Sequence, residues 1–160
     1  MFHIVLHTPE IPPNTGNSIR LCANTGATLH LVKPLGFRLD DKSLRRSGLD
    51  YHDLAELRVH ENLEACLAAL GEARVFTVET GGRIRYSDLI VRPGDAFLFG
   101  PETRGLPAEV LERIGRDNSL YIPMRPRCRS VNLSNAVAVV AFDAWRQLHF
   151  AGQGLESATS

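Results

Sequence analysis

Short runs rich in apolar or β-branched residues alternate along the chain with longer, helix-compatible stretches. Residues 2–6, 28–32, 74–78, 96–99 and 120–122 are the short runs and are predicted as strands. Residues 15–23, 61–70, 107–114 and 134–148 are predicted as helices, and residues 57–59 as a further short strand. Such alternation predicts an α/β domain with a mainly parallel sheet flanked by helices. Strands this apolar suit burial on both faces. The pattern places a single domain at residues 1–152 and a frayed tail at 153–160.

The last predicted helix is apolar nearly all round, through Ala136, Val137, Ala138, Val139, Val140, Ala141, Phe142, Ala144 and Trp145. A helix of this kind is covered on more than one side, and a second subunit is the simplest source of that cover. A homodimer through the C-terminal helix is therefore expected.

Three junctions between elements carry far more polar residues, glycine and proline than packing needs. Pro12-Pro13-Asn14-Thr15-Gly16-Asn17-Ser18-Ile19-Arg20 leads from the first strand into the first helix. The prolines stop the strand, and Asn14 or Thr15 is the candidate cap. Gly100-Pro101-Glu102-Thr103-Arg104-Gly105-Leu106-Pro107 follows the strand at 96–99, with Glu102 or Thr103 as candidate caps. Ile122-Pro123-Met124 leads through Ser130, Asn132, Ser134 and Asn135 into the last helix, which Ser134 would cap. Ligands of parallel α/β sheets gather at the carboxyl ends of strands, so position also favours a site here.

The chain has 160 residues, 44% of them hydrophobic and 22% charged, with no net charge. Those values exclude disorder, and no global basic field announces nucleic acid. Basic residues are nonetheless clustered. Arg38, Lys42, Arg45 and Arg46, with Arg125, Arg127 and Arg129, are read either as solvated surface or as phosphate contacts. Cys22, Cys66 and Cys128 have no metal or disulfide spacing, which fits a reducing, cytoplasmic location. The six histidines show no metal spacing, so no metal is expected. No apolar run is long enough to cross a bilayer, and no membrane partner is expected. Neither G-x-G-x-x-G after the first strand nor G-x-x-x-x-G-K-[ST] occurs, and no G-x-S-x-G elbow suggests acyl chemistry.

Taken together, the three junctions resemble the three motifs of the SPOUT methyltransferases, closest to the TrmL-type tRNA wobble-ribose 2'-O-methyltransferases. Asn14-Thr15-Gly16-Asn17 with Arg20-Leu21-Cys22-Ala23-Asn24-Thr25-Gly26 resembles the first motif. Phe99 to Pro107 resembles the second, and Ile122-Pro123-Met124 with Arg129-Ser130 and Asn132-Leu133-Ser134-Asn135-Ala136 the third. Asp41-Lys42, Leu44-Arg45-Arg46 and Gly48-Leu49-Asp50-Tyr51-His52 are similar to the wobble-position subgroup. One departure is Phe142, where close relatives often carry tyrosine.

The resemblance implies a SPOUT fold with a C-terminal trefoil knot, a homodimer and S-adenosylmethionine as methyl donor. It implies methylation of the ribose 2'-hydroxyl of the wobble nucleotide, cytidine or modified uridine, in the anticodon region of tRNA. The alternatives are a ribose methyltransferase of another RNA, or a non-catalytic RNA-binding dimer of the same fold. By the same resemblance Val78, Gly100, Ile122 and Ser130 bind the cofactor. Arg20 is the implied catalytic residue, with Glu102 and Asn132 supporting the geometry, and Arg45, Arg46 and Arg127 contact RNA. Arginine is a permanent cation in proteins, so a cation that stabilises developing negative charge asks less of Arg20 than a general base does.

Overall fold

The strands of the computed structural model are β1 His3–His7, β2 Thr28–Val32, β3 Leu57–His60, β4 Val75–Val78, β5 Ile84–Arg85, β6 Ala96–Phe99 and β7 Ser119–Tyr121. The helices are α1 Pro12–Thr25, α2 Leu63–Leu70, α3 Ala108–Ile114 and α4 Leu133–Gln147. Residues 1–39 and 56–154 are described, so Asp41 to His52, with Arg45 and Arg46, and the last six residues lie outside them. The seven strands form one sheet in the order β3-β2-β1-β6-β4-β7-β5, and every pairing is parallel.

Side-chain alternation divides the core between the two faces of the sheet. Ile4, Leu6, Leu29, Leu31, Phe97 and Phe99 point to one face, where Ile19 and Cys22 of α1 and Val137, Val140, Ala141 and Ala144 of α4 cover them. Val5, Val32, Ala96 and Leu98 point to the other, under Leu63 and Cys66 of α2 and Val110 of α3. The expected helix-flanked parallel sheet is thus the one observed. β5 was not anticipated, because two residues are too few to show a period.

Helix starts differ from the sequence reading in an informative way. α1 begins at Pro12, with Ile11 at the N-cap and no capping side chain. The two prolines, read as strand stoppers, preset the first helical turn, where a missing N–H costs nothing. This leaves the Asn14 side chain available for other partners. α4 is capped by Asn132 rather than Ser134, its Oδ1 accepting from Ser134 N at 3.0 Å and Asn135 N at 3.4 Å. α3 starts after Pro107 with no side-chain cap, so neither Glu102 nor Thr103 serves that end.

Two buried polar groupings stand apart from the junctions. His3, His30 and His60 form a ladder across β1, β2 and β3, on the sheet face that carries Val5 and Val32. His3 Nδ1 lies 3.1 Å from His30 Nε2, and His30 Nδ1 lies 2.9 Å from His60 Nε2. His30 is fully buried, and both its ring nitrogens are engaged within the ladder. Cys66 completes a constellation with His30 and His60 whose ligand atoms lie within 4.8 Å of one another. Elsewhere Asp95, with a side chain only 2% exposed, accepts a bidentate pair from Arg74 at 2.9 and 2.7 Å.

Candidate active site

The carboxyl ends of β4, β6 and β7 open into a cavity of about 500 Å³. Ligand clefts run to about 300–1,000 Å³, so this one is of cofactor size. Val78, Phe99, Ile122, Leu133 and Ala136 supply apolar wall, while Glu79, Glu102, Ser130 and Asn132 bring polar groups. All three sequence junctions therefore contribute to one space, at the sheet edge where parallel α/β folds bind ligands.

Glu102 joins the second junction to the first. Its carboxylate accepts from Glu10 N at 2.8 Å, from Ile11 N at 3.1 Å and from Asn14 Nδ2 at 3.1 Å. Asn14 Oδ1 in turn accepts from Asn132 Nδ2 at 3.0 Å, which brings in the third junction. Asn132 also caps α4, so one chain of hydrogen bonds locks three loops and two helix starts. A second clasp runs the other way: the Glu10 carboxylate accepts from Thr103 N at 3.0 Å and from Thr103 Oγ1 at 2.8 Å. Those bonds from Thr103 hold the exposed Glu10 carboxyl below its ordinary pKa, and the Arg104 charge adds to the effect.

Backbone packing in the loop leaves no room for side chains. A Cβ on Gly100 would stand 2.4 Å from Leu106 N and 2.5 Å from the carbonyl carbon of Gly105, so the loop folds back onto itself at that point. Gly105 has φ 69°, the left-handed region that favours glycine. On the neighbouring strand end, a Cβ on Gly82 would meet the Leu120 carbonyl at 2.3 Å. The 79–83 turn is pinned there by Glu79 N to Leu120 O and Arg83 N to Ser119 O, at 2.8 and 2.9 Å.

Val78, Gly100, Ile122, Ser130, Glu102 and Asn132, all singled out in the sequence, line this cavity. Arg20 does not. It lies on an exposed stripe of α1 with Asn17 and Asn24, at helical spacing. Arg127 is exposed, at φ 67°, within the 125–129 turn, which links the cavity residues Met124 and Ser130. Two residues escaped the sequence reading, Glu10 and Glu79. Glu79 had a signal: an acidic residue at the carboxyl end of a predicted strand, just before Gly81-Gly82.

Residues 1–142 match the model of the SpoU rRNA Methylase family, which is most of the chain. The chain belongs to that family. The tRNA (cytidine(34)-2'-O)-methyltransferase of Methylovorus glucosotrophus is 59% identical over 152 residues, spanning 95% of this chain and 99% of the relative. A solved structure concerned with 2-OH methylation of C/U34 on tRNA superposes with a TM-score of 0.88 at 48% identity, over 93% of this chain and 97% of that one. The SpoU methyltransferase AviRb from Streptomyces viridochromogenes, in complex with AdoMet, shares the fold with a TM-score of 0.78 at 24% identity. It is matched over 92% of this chain and 60% of its own. The SpoU assignment agrees with the SPOUT resemblance carried by the three junctions. No helix among the described residues is long and apolar enough to cross a membrane.

Proposed function

We propose that this SpoU-family chain transfers a methyl group from S-adenosylmethionine to the ribose 2'-hydroxyl of the wobble nucleotide of tRNA, cytidine or modified uridine. The observation that carries the reading is the convergence of the three junctions on one cofactor-sized cavity through Glu102, Asn14 and Asn132. A relative aligned over nearly its whole length acts, by its name, on cytidine 34 of tRNA.

The residues present fit the cofactor. The apolar wall of Val78, Phe99 and Ile122 suits a purine ring, and Ser130 and the backbone around Gly100 supply polar partners. When bound, the sulfonium supplies a methyl open to in-line displacement by an oxygen nucleophile. Glu102 is a poor candidate for a base, because three N–H groups already occupy its oxygens. Its role, like that of Asn132, is to hold the loops in register. Arg20 then acts as the cation that orients the ribose hydroxyl and stabilises the negative charge that grows as its proton leaves to water.

Arg20 stands outside the cavity of its own chain, so a symmetric partner is the natural means of completing the site. The partly exposed apolar side chains of α4, Val139 at 37% and Phe142 at 45%, supply the surface for that homodimer. The exposed turn with Arg125, Arg127 and Arg129 offers cations to tRNA phosphates beside the cavity, and Arg45 and Arg46 are proposed to join them. The trefoil knot belongs to this reading too, supported by the close backbone passages at Gly82 and Gly100. A tRNA-modifying role places the protein in the cytoplasm.

Incubation with labelled S-adenosylmethionine and total tRNA, followed by mass mapping of the methylated nucleoside, tests the proposal. Label at the wobble ribose is expected, and Arg20→Ala should abolish transfer while cofactor binding survives. Label in ribosomal RNA alone, or in no RNA, would overturn it.

A further inference from the structure

Glu79 is the carboxylate in the cavity whose charge nothing else in the described structure balances. Glu102 spends both oxygens on N–H donors. Glu79 spends one: Oε1 accepts from Leu106 N at 3.0 Å, tying the end of β4 to the far side of the 100–107 loop. Among the described residues no donor reaches Oε2, and no lysine, arginine or histidine forms an ion pair with this carboxylate. Arg104, which also lines the cavity, leans 3.8 Å from Glu10 instead. Burial pushes the Glu79 carboxyl up, and the Leu106 hydrogen bond only partly offsets it. A half-buried carboxylate with one bond and no counter-charge is costly on its own and is relieved by a bound cation.

Resting on the methyl-donor reading above, we propose that Glu79 is the specificity-determining counter-ion that makes the cavity prefer the sulfonium cofactor over its uncharged thioether product, S-adenosylhomocysteine. Donor and product share the adenosine, the amino group and the carboxylate, and differ by the methyl and the sulfonium charge. A contact made to the shared parts cannot tell them apart, whereas a counter-ion to sulfur must. Methyl transfer moves the S–C electron pair onto sulfur and removes the cation, so the attraction disappears as the product forms. Glu79 thereby holds the donor and lets the product go. Because that attraction is strongest before transfer, it contributes to affinity for the donor rather than to the rate of the chemical step.

Glu79→Gln separates charge from structure, since the amide oxygen still accepts from Leu106 N. Titration calorimetry with S-adenosylmethionine and with S-adenosylhomocysteine on the full chain reads both affinities. The donor's Kd is expected to rise about tenfold, the scale of one partly screened charge pair, with the product's Kd unchanged. In steady state the donor KM rises while kcat holds or rises, because the lost attraction favoured the bound donor over the transition state. Glu79→Asp, which retains the charge, should keep most of the donor-over-product preference. Equal weakening of both ligands, or no change in either, would overturn the proposal. Failure of the wild-type chain to bind S-adenosylmethionine at all would instead overturn the methyl-donor reading beneath it.

Discussion

Mild acid should destabilise this protein through the His30 ladder. Burial first, then the neighbouring His3 and His60 charges, lower the His30 pKa from 6.5 to about 4, and His3 and His60 are lowered as well, chiefly by burial. In the unfolded chain the same imidazole titrates near 6.5. Between those values the unfolded state binds a proton that the native state refuses, so stability falls as pH drops. The neutral ladder's full stability is therefore present above pH 6.5 and is lost as pH falls toward 4. At about 1.4 kcal/mol per pKa unit the His30 shift amounts to about 3 kcal/mol, a large part of the 5–15 kcal/mol typical of a domain. Urea unfolding at half-unit steps from pH 7.5 to 4.5 measures it. The wild-type slope should reach about 1 kcal/mol per pH unit or more between pH 6 and pH 5, and His30→Asn should remove about 1 kcal/mol per unit of it. Glu10 and Glu56, both held low by their hydrogen bonds, lose theirs only at the acid end of the range. A flat profile through pH 6–4.5, or a slope that His30→Asn leaves intact, would refute the argument.

Three further outcomes are expected. Gly100→Ala puts a methyl 2.4 Å from Leu106 N, so the loop must shift. Overpacking of this kind costs about 1–3 kcal/mol, and calorimetry should show S-adenosylmethionine affinity falling at least about tenfold. Glu102→Gln replaces an acceptor of three N–H groups by an amide whose NH2 faces donors. With charge-assisted bonds worth about 1.5–3 kcal/mol each, a loss of about 2–4 kcal/mol should appear in the melting temperature, together with weakened cofactor binding. Arg74→Ala strands the buried Asp95 carboxylate with the Arg92 N–H at 2.7 Å. A drop of about 2–4 kcal/mol in urea unfolding, without change in cofactor affinity, is the expected result for a pair that stabilises the fold away from the site.

How far the sequence spoke depended on the range of the interaction. The apolar runs at 28–32 and 96–99 coincide with β2 and β6 because burial on both faces leaves a mark within the run itself. Polar residues and glycines in excess of packing need marked the three junctions for the same local reason. Chemistry that depends on one particular side chain was legible only through resemblance. Arg20 looks like any surface arginine until the motif around it is matched, and no local pattern points to the proposed knot.

What the tertiary structure decided spans the chain. Glu102 finds Glu10 N across 92 residues, and Asn132 finds Asn14 across 118. No periodicity encodes such pairs, since each end satisfies its own turn equally well alone. Local propensity even pointed elsewhere, naming Asn14, Glu102 and Ser134 as helix caps. Two prolines started α1 without a cap, Asn132 took over the cap of α4, and the freed polar groups turned to one another. Glu79 is the clearest case. By sequence it is an acid at the end of a strand. Only the fold, by setting β4 beside the 100–107 loop, brings Glu79 to the cavity wall with one carboxylate oxygen held by Leu106 N and the other without a donor among the described residues.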